Sequence, residues 1–270
     1  MAKGPVSGPS RGNAARAVGG SAMRGYFKKL KRQAQVRAHI AQHGGFSFHG
    51  GAVEVPDDLH LRIRAKVASG EYEATECELI EAFLPSDRPV VELGGCLGLV
   101  SNVIARRLKP GTPFVVVEAN PALHEICQRN ATLDGAAGNV QVESAAIAYD
   151  GADVIFDVSD NVHVSRLAAD GAGRGIRVPA RTLAEVLAAA GITGRYSLIC
   201  DIEGAELDLI DRDANALGRC DLLVIEMHPV EFEKAGRSLE EMVAKIERLG
   251  LVERKRMADV FAFERAAGTA

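Results

Sequence analysis

The chain has 270 residues, 47% of them hydrophobic and 25% charged, with 28 Gly, five Cys and no Trp. These proportions exclude a disordered, collagen-like or disulfide-scaffold chain, and no apolar run approaches the ~20 residues of a membrane span. The formal charge of −4 hides an asymmetry: residues 1–53 hold nine Lys/Arg and no acid, so the remainder carries 36 acids against 23 bases. An acidic body is a poor partner for nucleic acid, whose phosphates need clustered Lys and Arg. The cysteines (Cys77, Cys96, Cys127, Cys200 and Cys220) are odd in number and show no C-x-x-C spacing. That pattern predicts reduced, mostly buried thiols, no thiolate zinc site and a cytoplasmic compartment.

In chain order, residues 1–23 are rich in Gly, Ala, Ser and Arg and read as a disordered tail. Residues 24–42 read as a helix with Phe27, Leu30, Ala34 and Val36/Ile40 loosely on one side. This basic arm, 1–42, reads first as a solvated segment packing on the body. Its second reading is weak contact with an anionic membrane surface. Deleting residues 1–40 is expected to leave ligand binding intact. Phe46–Phe48 and Ala52–Val55, joined across Gly50-Gly51, predict a hairpin. Helices near 58–68 and 74–84 complete a unit, 43–85, that packs on the core.

From 86 to 266 the pattern changes. The short apolar runs Pro89–Leu93, Phe114–Val117, Val140–Val142, Ser197–Cys200 and Leu222–Ile225 alternate with amphipathic helices. Runs of this kind suit strands buried on both faces. The helices carry start and stop signals: Asn120-Pro121 and Gly135; the capping box Thr182-x-x-Glu185 and Gly191; the capping box Ser238-x-x-Glu241 and Gly250. Val252–Met257 and Val260–Glu264 predict a terminal hairpin about Ala258-Asp259. The expectation is a doubly wound, mostly parallel α/β sheet with one antiparallel strand.

Two segments carry chemistry. Val90-Val91-Glu92-Leu93-Gly94-Gly95-Cys96-Leu97-Gly98 is a strand ending in a Gly-rich turn that opens a helix. It is neither a P-loop nor G-x-G-x-x-G, because Cys96 occupies the second Gly position. The next apolar run ends in Glu118, where a ribose-binding carboxylate belongs, so the pair points to a nucleoside cofactor. The second segment is Asp201-Ile202-Glu203-Gly204-Ala205-Glu206, after an apolar strand; Glu226-Met227-His228 ends the following one. In a doubly wound sheet both reach the same edge as the Gly turn. Asp201, Glu203, Glu226 and His228 are ligand types for Mg, Mn or Zn, but no metal is assigned. Glu206 reads as a helix cap.

These residues resemble the FkbM family of class I S-adenosylmethionine-dependent methyltransferases, over about Gly70 to Pro229. The resemblance rests on Gly70-Glu71-Tyr72-Glu73 with Glu76, Val91–Gly98, Val117-Glu118-Ala119-Asn120-Pro121, Arg181-Thr182-Leu183, Asp201-x-Glu203-Gly204-x-Glu206 and Glu226-x-His228-Pro229. Two positions depart from the family pattern, Ile199 for a frequent Lys and Ala184 for a frequent Asp, both on the acceptor side. The resemblance implies a Rossmann-like sheet of seven strands with one reversed. It implies S-adenosylmethionine as donor and S-adenosylhomocysteine as product. It also implies O-methylation of a hydroxyl on a saccharide or secondary metabolite, with carboxylates as a further acceptor class. The donor site is then expected at Glu92, Gly94, Gly95, Gly98, Glu118, Ala119, Asn120 and Ala145. Asp201 and His228 become candidate bases, and Glu203 orients the acceptor or the donor's amino group. The competing readings are an RNA methyltransferase and a non-catalytic methyltransferase-fold partner protein.

Overall fold

Strands buried on both faces need helices above and below them, and the chain supplies both layers. The computed structural model describes residues 12–133, 139–157, 166–167 and 175–266. The first part holds α1 (Gly12–His43), β1 (Phe46–Phe48), β2 (Gly51–Val53), α2 (Leu61–Ser69) and α3 (Ala74–Phe83). Next come β3 (Val90–Leu93), α4 (Leu99–Arg107), β4 (Phe114–Glu118), α5 (His124–Thr132), β5 (Val140–Ser144), β6 (Ala146–Ile147), β7 (Asp153–Asp157), β8 (Arg166–Leu167) and β9 (Gly175–Arg181). The last part is α6 (Leu183–Ala189), β10 (Tyr196–Cys200), α7 (Glu206–Arg212), α8 (Ala214–Leu217), β11 (Cys220–Glu226), α9 (Pro229–Lys234), α10 (Leu239–Arg248), β12 (Leu251–Met257) and β13 (Val260–Arg265).

The main sheet has seven strands in the order β12-β13-β11-β10-β3-β4-β5. β11, β10, β3, β4 and β5 pair in parallel, and β13 runs against both neighbours. This is the expected doubly wound, Rossmann-like sheet with one reversed strand. Strand parity divides its core. Val90, Val116, Ile199 and Val224 face α1–α5, whereas Val91, Val115, Leu198 and Leu223 face α6–α10. Each fully buried aliphatic side chain contributes roughly 1.5–3 kcal/mol. A second, four-stranded sheet, β6-β9-β7-β8, lies outside the sequence reading.

The helix termini follow their sequence signals in most places. Thr182 and Glu185 form a reciprocal capping box at α6. Ser238 accepts from the Glu241 N–H at α10, but the Glu241 carboxylate pairs with Arg237 instead of returning to the cap. At α5 the helix begins at His124, three residues beyond Pro121, because the Asn120 side chain first closes a turn onto the Ala122 N–H. Gly135 lies outside the described residues.

The N-terminal arm differs from its reading. Helix α1 is longer than 24–42, starting at Gly12 inside the segment read as disordered. Its last part also belongs to the body. Val36 is 5% exposed within the first core cluster, Ile40 packs against it, and Gln35 donates to the Ala65 carbonyl. Deletion of residues 1–40 therefore removes side chains that pack on the body, a cost to stability separate from the ligand binding it is expected to leave intact. Truncation after residue 22 is expected to keep the melting temperature. Truncation after residue 40 is expected to lower it by several degrees, because it exposes the surface Val36 covers; thermal denaturation of both forms checks this.

Candidate active site

The carboxyl ends of β3, β4, β10 and β11 open onto one cavity. The Gly turn forms its floor. Gly94 has φ +94° and an added Cβ would fall 1.8 Å from the Asp201 carbonyl oxygen. The Gly94 and Gly95 N–H groups both donate to the Val117 carbonyl, and Asp201 N–H donates to Leu93. Three strand ends are thereby stitched beneath the cavity. Glu118 closes the turn: its two oxygens accept from the Cys96 and Asn120 N–H groups, both at 2.6 Å. Burial raises its carboxyl pKa, and those two donors oppose the rise.

Of the expected donor-site residues, Gly94, Gly95, Glu118, Ala119 and Ala145 line the cavity. Glu92, Gly98 and Asn120 do not. Glu92 is 2% exposed and its strand parity turns it toward α4, where Oε2 has no partner. Gly98 caps α4, and a Cβ there would lie 2.5 Å from the Cys127 carbonyl, so it sets the close approach of α4 and α5. Asn120 is buried and holds the turn after β4.

Burial pushes the Glu92 carboxyl up to about 8, partly opposed by Ser101. The folded value exceeds the unfolded one, so its stability contribution is complete below the unfolded pKa and is lost as pH rises toward about 8. Glu92→Gln should accordingly raise stability relative to the parent at pH 8, by on the order of 4 kcal/mol, and leave pH 4 unchanged; melting curves across pH check it.

The opposite wall is acidic. Asp201, Glu203 and His228 meet there, as expected. His228 Nε2 lies 3.6 Å from Asp201 Oδ1 and 3.5 Å from Glu203 Oε2. Its Nδ1 lies 3.3 Å from Glu206 Oε1, without hydrogen-bonding direction. Burial pulls the imidazole pKa down, but Glu206, Asp201 and Glu203 outweigh it and push it up to about 9. Asp201 Oδ1 has no hydrogen-bond partner. Burial, then Glu226, raises the Asp201 carboxyl well above its usual range. Glu206 is fully buried and accepts from the Ile202 and Gly204 N–H groups. It therefore braces the turn before α7.

The unit read as 43–85 adds what motif reasoning had left without a role. Tyr72, Glu73 and Glu76, at the start of α3, line the cavity beside Glu226. The Tyr72 hydroxyl donates to Cys96 Sγ at 3.7 Å. Burial, then Glu73, pushes Glu226 up to about 7. Of the five non-Gly residues with positive φ among those described, Glu73, Cys96 and Glu203 line this cavity, so backbone strain concentrates here. Ligand-type atoms of Asp201, Glu203 and His228, and of Glu73, Asp201 and Glu226, lie within 4.8 Å of one another in each group, spacings that could also hold a divalent cation.

The sequence model described as the methyltransferase FkbM domain matches residues 92–252. No curated protein matches the sequence. Among solved structures, the chain is similar to magnesium protoporphyrin IX methyltransferase from Synechocystis PCC 6803 with bound SAM (10% identity, 78% of this chain and 87% of that one, TM-score 0.47). A methyltransferase from Pyrococcus furiosus shares 11% identity over 87% of this chain and 99% of its own, with a TM-score of 0.43. An O-methyltransferase family protein from Burkholderia thailandensis shares 11% over 76% and 60%, with a TM-score of 0.45.

Proposed function

The chain belongs to the FkbM methyltransferase family and takes S-adenosylmethionine as methyl donor, and we propose that its acceptor is a hydroxyl on a saccharide or secondary metabolite, methylated in the cytoplasm. The observation that carries this is the charge of the cavity. Six carboxylates and one imidazole line it, with no Lys or Arg among the described lining residues. A carboxylate acceptor or a nucleic-acid phosphate would be repelled there, which disfavours both the ester-forming and the RNA-directed readings. A neutral hydroxyl is not repelled, and it needs a base, which the cavity has in excess. Membership of the family sets aside the non-catalytic reading.

The residues present fit the donor. Leu123, Ala146, Ile147 and Phe156 give one end an apolar slot suited to an adenine ring. Glu118 keeps a lone pair on each oxygen beyond its two backbone donors, enough for ribose hydroxyls. When bound, the donor supplies a methyl group already activated on a sulfonium. The chain's own task is positioning and proton removal. Asp201, made more basic by burial, accepts the hydroxyl proton; Glu203 orients the acceptor. His228, held as imidazolium by three carboxylates, balances the charge that develops.

The pH–rate profile tests this division of roles. A base must be unprotonated, so kcat/KM is expected to rise with pH as Asp201, its carboxyl raised well above the usual range by burial and by Glu226, loses its proton. It should fall above about 9, where His228 loses its charge. A rate that keeps climbing through 9 would make His228 itself the base.

A further inference from the structure

The exposed large apolar side chains are not scattered evenly. Met23, Tyr26, Phe27 and Leu30, all on α1, are 62%, 60%, 61% and 42% exposed. Their spacing is i, i+3, i+4, i+7, which places them within an arc of about 100° round the helix. Val36 and Ile40, the α1 residues packed on the body, lie about 130° and 90° from the centre of that stripe. The helix therefore has two apolar faces in succession. The later one is covered by the core, and the earlier one points elsewhere.

The earlier face is edged by charge of one sign. Arg24, Lys29 and Lys31 border it, Lys28 and Arg32 lie on the opposite face, and none makes an ion pair among the described residues. No acid occurs before Glu54. An apolar stripe between unneutralised cations needs a partner that is both apolar and anionic. A second copy is a poor one. The other exposed large apolar residues described (Ile155, Val230 and Val252) belong to separate elements, and pairing α1 with α1 would face cations with cations. RNA would meet the charge and leave the stripe wet. No helix among the described residues is long and apolar enough to cross a membrane.

We propose that α1 is an interfacial helix that docks the protein on an anionic lipid bilayer, with Met23, Tyr26, Phe27 and Leu30 inserted at the headgroup boundary and the flanking Lys and Arg against lipid phosphates. Docking through α1 does not depend on which acceptor the cavity takes.

Co-sedimentation of the full-length protein with vesicles tests it. Phosphatidylcholine vesicles containing a third phosphatidylglycerol are expected to carry the protein down at low salt, and phosphatidylcholine alone is not. Phe27→Asp should lower the partition coefficient about tenfold or more, and Lys29→Glu with Lys31→Glu should do the same. All these side chains are exposed, so unchanged melting temperatures verify folding. Three results would overturn the proposal. One is a parent protein that stays in the supernatant with anionic vesicles. Another is Phe27→Asp binding as well as the parent. The third is a vesicle-free dimer that Phe27→Asp converts to monomer, which would make the stripe an interface between copies.

Discussion

Gly94→Val is expected to abolish S-adenosylmethionine binding, lowering affinity by more than about 100-fold in calorimetric titration, or about 2.7 kcal/mol. Two effects add. At φ +94° any L side chain is strained, by roughly 1–2 kcal/mol. The larger effect is overlap: a Cβ 1.8 Å from the Asp201 carbonyl cannot be relieved by turning a side chain, because the obstacle is the backbone of the neighbouring strand end. The turn must lift, and with it the Gly94 and Gly95 N–H bonds to Val117. Gly111→Ala is the matched control. Gly111 has φ +84° with nothing within 4 Å of an added Cβ. It bears the conformational strain without the collision, so it should lose about 1 kcal/mol of stability and keep full affinity. Equal affinity in Gly94→Val and the parent would show that the turn does not shape the donor site.

Asp201→Asn is expected to lower turnover by ~10²–10⁴-fold while donor affinity stays within about threefold. The substitution keeps the shape and removes the basicity. Asp201 faces the cavity from the end of β10, and its Oδ1 makes no hydrogen bond, so no structural bond of that atom is lost. Weakened donor binding with little change in rate would move the carboxylate to the donor side. Activity abolished by a chelator and restored by Mg²⁺ or Mn²⁺ would turn the acid cluster into a metal site and end the base argument.

The strands were legible because both their faces are buried: Pro89–Leu93, Phe114–Val117 and Ser197–Cys200 leave no polar parity to confuse with a helix. The small sheet was not, since β7 and β9 (Asp153–Asp157, Gly175–Arg181) mix polar and apolar residues over short spans. At the site, the motif located the turn but not the direction of each side chain. Glu92 sits one residue from Leu93, and parity sends it into the opposite core. Tyr72, Glu73 and Glu76 carried no local signal of chemistry; only their place in the family resemblance marked them. Their role on the rim arises because α3 packs over the sheet edge, a tertiary contact that no window of sequence contains. The arm was legible as a segment packing on the body, but not which of its residues do so. Its composition is that of a solvated segment, yet Val36 and Ile40 find a core to enter.

Methyl transfer to a hydroxyl at the acidic cavity makes an ether, and transfer to a carboxylate makes an ester. Transfer to a hydroxyl is tested most directly by incubating the protein with cell extract and methyl-labelled S-adenosylmethionine, then treating the labelled product with mild base. An ether survives that treatment and an ester releases methanol. The account predicts base-stable label in a neutral saccharide or small-molecule fraction, absent when Asp201→Asn replaces the parent. Base-labile label, or label recovered in RNA, would contradict it.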